Sequence, residues 1–163
     1  MTGNRWDQKG IPHKGWSCVG VTDLRGDDMP GDDTPYADCE MCGKERIRFV
    51  HLMAHDETGL QMSVGCVCAE KMSGDYEGPR RREGALRSRA IRRSKWLGRR
   101  WRTSHKGNPF LNLDGKNVGV HHHRGSGWAF RIDDRFSARN YGTADLAKLA
   151  LFDCLFPQDS AAD

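Results

Sequence analysis

Cys39 and Cys42 stand three positions apart, and Cys66 and Cys68, two apart, follow after an acidic turn flanked by apolar residues. Two close thiol pairs at that separation are the arithmetic of a metal site. Cys39-Glu40-Met41-Cys42-Gly43 has the form of a knuckle: two thiolates reach one ion across a tight turn, and Gly43 relieves the bend. Cys66-Val67-Cys68-Ala69 leads into helix-forming residues, and a helix N-terminus stabilises thiolate charge. Zinc takes four such ligands in a tetrahedron, and an all-cysteine shell makes a closed, structural site. Cys39, Cys42, Cys66 and Cys68 are therefore the expected zinc ligands. Because only Val67 separates the second pair, His51 or His55 is the alternative to Cys66 or Cys68. Without ligation, the two histidines fit a partly exposed hairpin. Cys18 and Cys154, alone near opposite ends, read as small buried apolar residues.

A second kind of chemistry lies in the charge. The formal net charge is only +4, yet between residues 80 and 102 eleven Arg or Lys face a single acid, Glu83. They are Arg80, Arg81, Arg82, Arg87, Arg89, Arg92, Arg93, Lys95, Arg99, Arg100 and Arg102. Guanidinium adds bidentate phosphate bonding and stacking on bases to the charge that lysine would supply. DNA or RNA, gripped by its phosphates, is the expected partner, with affinity falling as salt rises. The acidic stretch around Asp27 to Asp33 is the internal alternative for some of these cations.

These groups must be positioned by local structure. Trp16–Leu24 and Ile47–His55 read as strands; in the second, Ile47, Phe49, His51, Met53 and His55 share a face. Asp56-Glu57-Thr58-Gly59 is the turn to a returning strand, Leu60–Val64. Helix formers run from about Arg80 to Trp101, with Leu86, Ala90, Leu97 and Trp101 near one stripe and Ile91 and Trp96 beside it. Ser104 to Pro109 reads as a linker. Short alternating segments follow, Phe110–Leu113, Asn117–His123, Trp128–Ile132 and Phe136–Tyr141, then a helix from Ala144 to about Phe156 capped by Thr143. The tail from Pro157 is expected to fray. The organisation is 1–35, an N-terminal strand and acidic loop; 36–78, a zinc module; 79–103, a basic helix; and 104–163, a small antiparallel sheet with a helix. The fold class is α+β. Nineteen glycines and a hydrophobic fraction of 37% imply small cores, for which a metal is a common staple.

The order knuckle, hairpin, second pair at a helix start, over about Cys39 to Met72, resembles the treble-clef zinc fingers, and the resemblance implies ligation by Cys39, Cys42, Cys66 and Cys68. Treble clefs usually have two residues within the second pair, where this chain has one. The sheet-plus-helix layout of Asn117 to Phe156 looks like the AP2-type and integrase-arm-type DNA-binding domains, which lay the open sheet face on DNA. That likeness implies that His121, His123, Arg131 and Arg139 face nucleic acid. Alternation sets His122 opposite its neighbours.

No apolar run approaches the ~20 residues of a membrane span, and the N-terminus has no apolar leader, so a reducing cytoplasm is the expected setting. No GxSxG, HExxH, P-loop or zinc-deaminase pattern is present, and the chain leans away from catalysis. Two other readings compete. One is a metal-dependent nuclease built on the histidines. The other is a small accessory or anti-defence protein, of phage or plasmid type, whose charged surfaces bind a host nucleic-acid enzyme.

Overall fold

The computed structural model describes residues 3–158, so residues 159–163 of the expected loose tail lie outside it. The chain is a mixed α and β protein whose contacts divide it after Ser88 into two units. In the first, β1 (Trp16–Asp23), β4 (Phe49–His55) and β5 (Gln61–Val64) form an antiparallel sheet in the order β1-β4-β5. A separate two-residue ribbon, β2 (Ala37–Asp38) with β3 (Arg46–Ile47), closes around the Cys39–Cys42 turn. Alternation along β4 buries Phe49, His51, Met53 and His55, so both histidines are interior and not partly exposed as expected. Helix α1 (Cys66–Ser73) packs on β1 and β4 and ends at Gly74, whose φ of 74° is a left-handed cap. The core joins Trp16, Met41, Met53, Met62, Val64 and Met72 to Cys39 and Cys68. Unbranched methionines fill such an irregular interior readily but specify it weakly.

Helix α2 (Gly78–Ser94) starts beside Asp75, whose carboxylate accepts from the backbone N–H groups of Glu77 and Gly78. It ends at Ser94, short of the expected Trp101, and Trp96 then turns into the core of the second unit, 1% exposed. The buried stripe differs from the apolar one expected. Leu86, Arg89, Arg93 and Trp96 are buried, whereas Ile91 and Leu97 are exposed.

In the second unit, β6 (Arg102–Thr103), β7 (Pro109–Leu113), β8 (Lys116–His123), β9 (Gly127–Ile132) and β10 (Arg135–Phe136) make an antiparallel meander in chain order. The β7–β8 turn has Asp114 at φ 47° and Gly115 at φ 78°, as a tight hairpin needs. Helix α3 (Ala144–Leu155) is capped by the Thr143 side chain, which accepts from the Leu146 N–H, and packs on β8 and β9. Val118, Leu111, Leu151, Phe152 and Trp96 form the core between them. Trp128 bridges to Tyr141 beyond the β10 pairing, where a longer last strand was expected. Cys154 on α3 is exposed, and Cys18 on β1 is half-buried, so neither is the buried apolar residue expected.

Candidate metal centre and basic sheet face

The structure brings together three of the four expected cysteines. The sulfurs of Cys39, Cys42 and Cys68 all lie within 4.8 Å of one another, close enough to hold a metal ion. Tetrahedral Zn–S bonds of ~2.3 Å would set the sulfurs roughly 3.8 Å apart, inside that limit. Cys39 and Cys68 are buried, and the Gly65 N–H donates to Cys39 Sγ at 3.4 Å. The knuckle turn closes through a Gly43 N–H bond to the Cys39 carbonyl, with Gly43 at φ 68°. The Cys39 thiol is held well below its ordinary pKa because the Cys68 thiol donates to it and the backbone of Cys42, Gly65 and Met41 cradles it. Cys68 is correspondingly pushed up. A sulfur cluster that shares protons this way is poised to exchange them for a cation.

Cys66 is not in that group. Both Cys66 and Cys68 lie in the first turn of α1, where two positions are a rotation of about 200°, so their side chains leave on opposite sides. Three positions before Cys68, where a two-residue spacer would put the partner thiol, stands Gly65. The space its side chain would need is filled by the Glu45 carboxylate and by Ile47. Burial, and then the neighbouring Cys39 and Glu83, raise the pKa of Glu45. It also lines a concavity with Trp6, Cys42 and Cys68.

Cys66 joins a second group with His51 and Glu83, again with donor atoms within 4.8 Å. His51 therefore does not replace a cysteine of the first group. Its Nε2 lies 3.0 Å from Glu83 Oε1. His55 is committed elsewhere: Nδ1 meets Thr58 Oγ1 at 2.9 Å, Nε2 meets the Lys14 carbonyl at 3.0 Å, and the ring packs edge-on against Trp16. Burial pushes the Cys66 thiol up to about 12, and the Glu83 and Glu70 carboxylates add to it.

The arginines divide by partner. Arg89 and Arg93, 6% and 7% exposed, both bond Asp153 of α3, and Arg89 Nε donates to the Phe156 carbonyl at 2.6 Å. These two belong to the interior, contrary to a role on phosphate, because their amphipathic stems let guanidinium join a helix–helix seam. Arg80 pairs with the buried Glu70 at 2.5 Å. Arg87, Arg92, Arg99 and Arg102 lie over the rings of Phe49, Phe156, Trp96 and Phe110. The side chains of Arg81, Arg82, Lys95 and Arg100 make no hydrogen bond, ion pair or ring contact among the described residues.

On the sheet face away from α3, a concavity of about 390 Å³ is lined by Lys106, Phe110, His121, Arg131, Asp134 and Phe136, among others. Phe136 is 54% exposed and meets the rings of His121 and His123. His122, as alternation requires, packs instead on Trp128. Arg131 is braced by His121 Nε2, Asn117 Oδ1 and the Asp133 carbonyl. Phe110 lies over Gly119, where an added Cβ would stand 2.7 Å from the Pro109 carbonyl oxygen. Burial, helped by Arg131, His123 and Lys106, lowers the pKa of His121. Arg139 stacks over Tyr141 and is not among the residues of this concavity. Neither phenylalanine stands out in the sequence; each lies in a segment that reads as a strand, without apolar residues alternating on both sides of it.

Compared with known proteins, the chain matches no family model, no curated protein and no solved structure. No helix among the described residues is long and apolar enough to cross a membrane.

Proposed function

We propose that the chain is a zinc-stabilised nucleic-acid-binding protein of the cytoplasm. The observation that carries this reading is the open sheet face of the second unit, where exposed Phe136 and half-buried Phe110 are interleaved with Arg102, Lys106, His121 and Arg131. Flat rings among cations are what stacked bases and the phosphates between them require, and such stacking contributes about 1–3 kcal/mol per base. Arg81, Arg82, Lys95 and Arg100 add backbone contacts whose strength depends on salt. Zinc, as a structural ion, is held by Cys39, Cys42 and Cys68 in a treble-clef-like module. A fourth ligand lies outside this three-cysteine group; Glu45, whose carboxylate fills the place a side chain at position 65 would take, would supply it by moving closer to the sulfurs. Zinc accepts mixed sulfur and oxygen shells of this kind.

The test is fluorescence anisotropy with labelled single- and double-stranded DNA and RNA over a range of salt. Phe110→Ala and Phe136→Ala should each weaken binding to single strands by about tenfold at fixed salt, in line with a lost stack. Their melting temperatures should stay within a few degrees of the parent. Equal affinity in parent and both variants would remove the sheet face from the interface. Binding of no nucleic acid at low salt would overturn the function.

A further inference from the structure

We propose that His51, Cys66 and Glu83 form a second metal site, separate from the three-cysteine group, that takes a divalent transition ion of the zinc type. Three donors of different kinds, one nitrogen, one sulfur and one oxygen, come from β4, the first turn of α1 and α2, with donor atoms within 4.8 Å. Residues so distant in sequence do not converge by local chance.

Burial and charge both suit a cation here. His51 is 0% exposed, and its Nε2, 3.0 Å from Glu83 Oε1, is the ring nitrogen on the side of Glu83. The Cys18 thiol hydrogen-bonds the same ring, so a ligating imidazole would keep a partner outside the metal shell. Charge adds to this. Glu83 and Glu70 both act on Cys66, and of the two Glu70 is answered by Arg80 at 2.5 Å. A dication would offset Glu83 and turn half-buried Cys66 from a thiol into a thiolate ligand.

The mixed donor set selects the metal class. Imidazole, thiolate and carboxylate together suit zinc or cobalt better than magnesium or calcium, which prefer all-oxygen shells. Three protein ligands leave a fourth position. Glu83 also lines a cleft of about 300 Å³ with Tyr36, Arg46, Arg48 and Arg87. Cys66 and Cys68 thus serve two ions from one helical turn, which gives the single-residue spacer a chemical purpose.

Metal content by mass spectrometry, after zinc loading and gel filtration of the full chain, tests this together with Co²⁺ absorption. The parent chain should hold two equivalents. Cys66→Ser and Glu83→Gln should each hold one and keep the strong thiolate-to-cobalt bands of the three-cysteine site, whereas Cys39→Ser should lose most of those bands. Glu83→Gln replaces a partly exposed side chain with an isostere and serves as the variant least disturbing to the fold. One equivalent in the parent that survives in Cys66→Ser and Glu83→Gln would overturn the second site and leave the first. One equivalent lost in both of these but kept in Cys39→Ser would retain the second site and remove the first. Two equivalents retained in both Cys66→Ser and Glu83→Gln would also overturn it.

Discussion

At the scale of single residues, the two thiol pairs are separated by the geometry of one helical turn. Cys68 and Cys66 are both cysteines next to Val67, but only Cys68 shares a sulfur cluster with the knuckle. Cys39→Ser is expected to loosen the first unit and Cys66→Ser to spare its knuckle. A bound ion at a thousandfold excess over its Kd stabilises by about 4 kcal/mol, so chelation should lower the first unit's melting point by several degrees. An unaltered melting curve with a strong chelator would argue against a structural ion. His121 gives a second prediction at this scale. Its folded pKa lies below the ordinary histidine value, by burial first and then by Arg131, His123 and Lys106. The unfolded chain therefore binds more protons in that window. Stability from this group is present above the ordinary histidine pKa and is lost as pH falls through the folded value. Bound phosphate reverses the preference, so nucleic-acid affinity should rise as pH falls from 7.5 toward 6, and less so in His121→Gln. A variant with the parent's pH profile would take His121 out of the interface.

At the scale of elements, strands were legible where side chains alternate and illegible where charge enters a buried stripe. β4, β8 and β9 follow their period-two pattern, the Asp114-Gly115 turn follows its backbone preference, and Thr143 caps α3 as its residue type requires. Three things escaped. A two-residue strand such as β6 carries no period. The end of α2 at Ser94 is set by Trp96, whose indole N–H donates to the Lys148 carbonyl of α3 at 2.7 Å, a partner far away in sequence. Arg89 and Arg93 count as polar in any pattern of apolar positions, although Asp153 makes them interior residues. Of the candidate site, the cysteine knuckle and the basic segment could be read directly. The split of Cys66 from Cys68 needed the start of α1 to be placed to the residue. The Asp153 contact carries a prediction. Asp153→Ala removes one carboxylate that both buried guanidinium groups bond, and should destabilise the second unit by on the order of 2–3 kcal/mol. Asp153→Asn, which keeps a hydrogen-bond acceptor, should cost less. A chemical-denaturation midpoint unchanged in Asp153→Ala would show that the pair adds no stability.

At the scale of the whole molecule, a net charge of +4 conceals a concentrated positive segment, and the arginine partners decide how much of it faces outward. Arg89 and Arg93 are committed to Asp153, and Arg80 to Glu70. Arg87, Arg92, Arg99 and Arg102 hold their guanidinium groups over aromatic rings, which fixes their stems while the charge stays near the surface. Arg81, Arg82, Lys95 and Arg100 carry charge without such anchoring. The residue choice of arginine over lysine thus serves internal stacking as well as any phosphate. Each phosphate contact contributes about 0.9 to the slope of log affinity against log salt on duplex DNA. Replacing Arg81, Arg82, Lys95 and Arg100 together by Gln should therefore flatten that slope by up to about 3–4 and leave the melting temperature nearly unchanged. Replacing Arg89 and Arg93 should do the reverse, lowering the melting temperature while the folded fraction keeps the parent slope. If the fourfold variant binds with the parent's salt dependence, these cations do not touch phosphate, and the nucleic-acid reading rests on the sheet face alone.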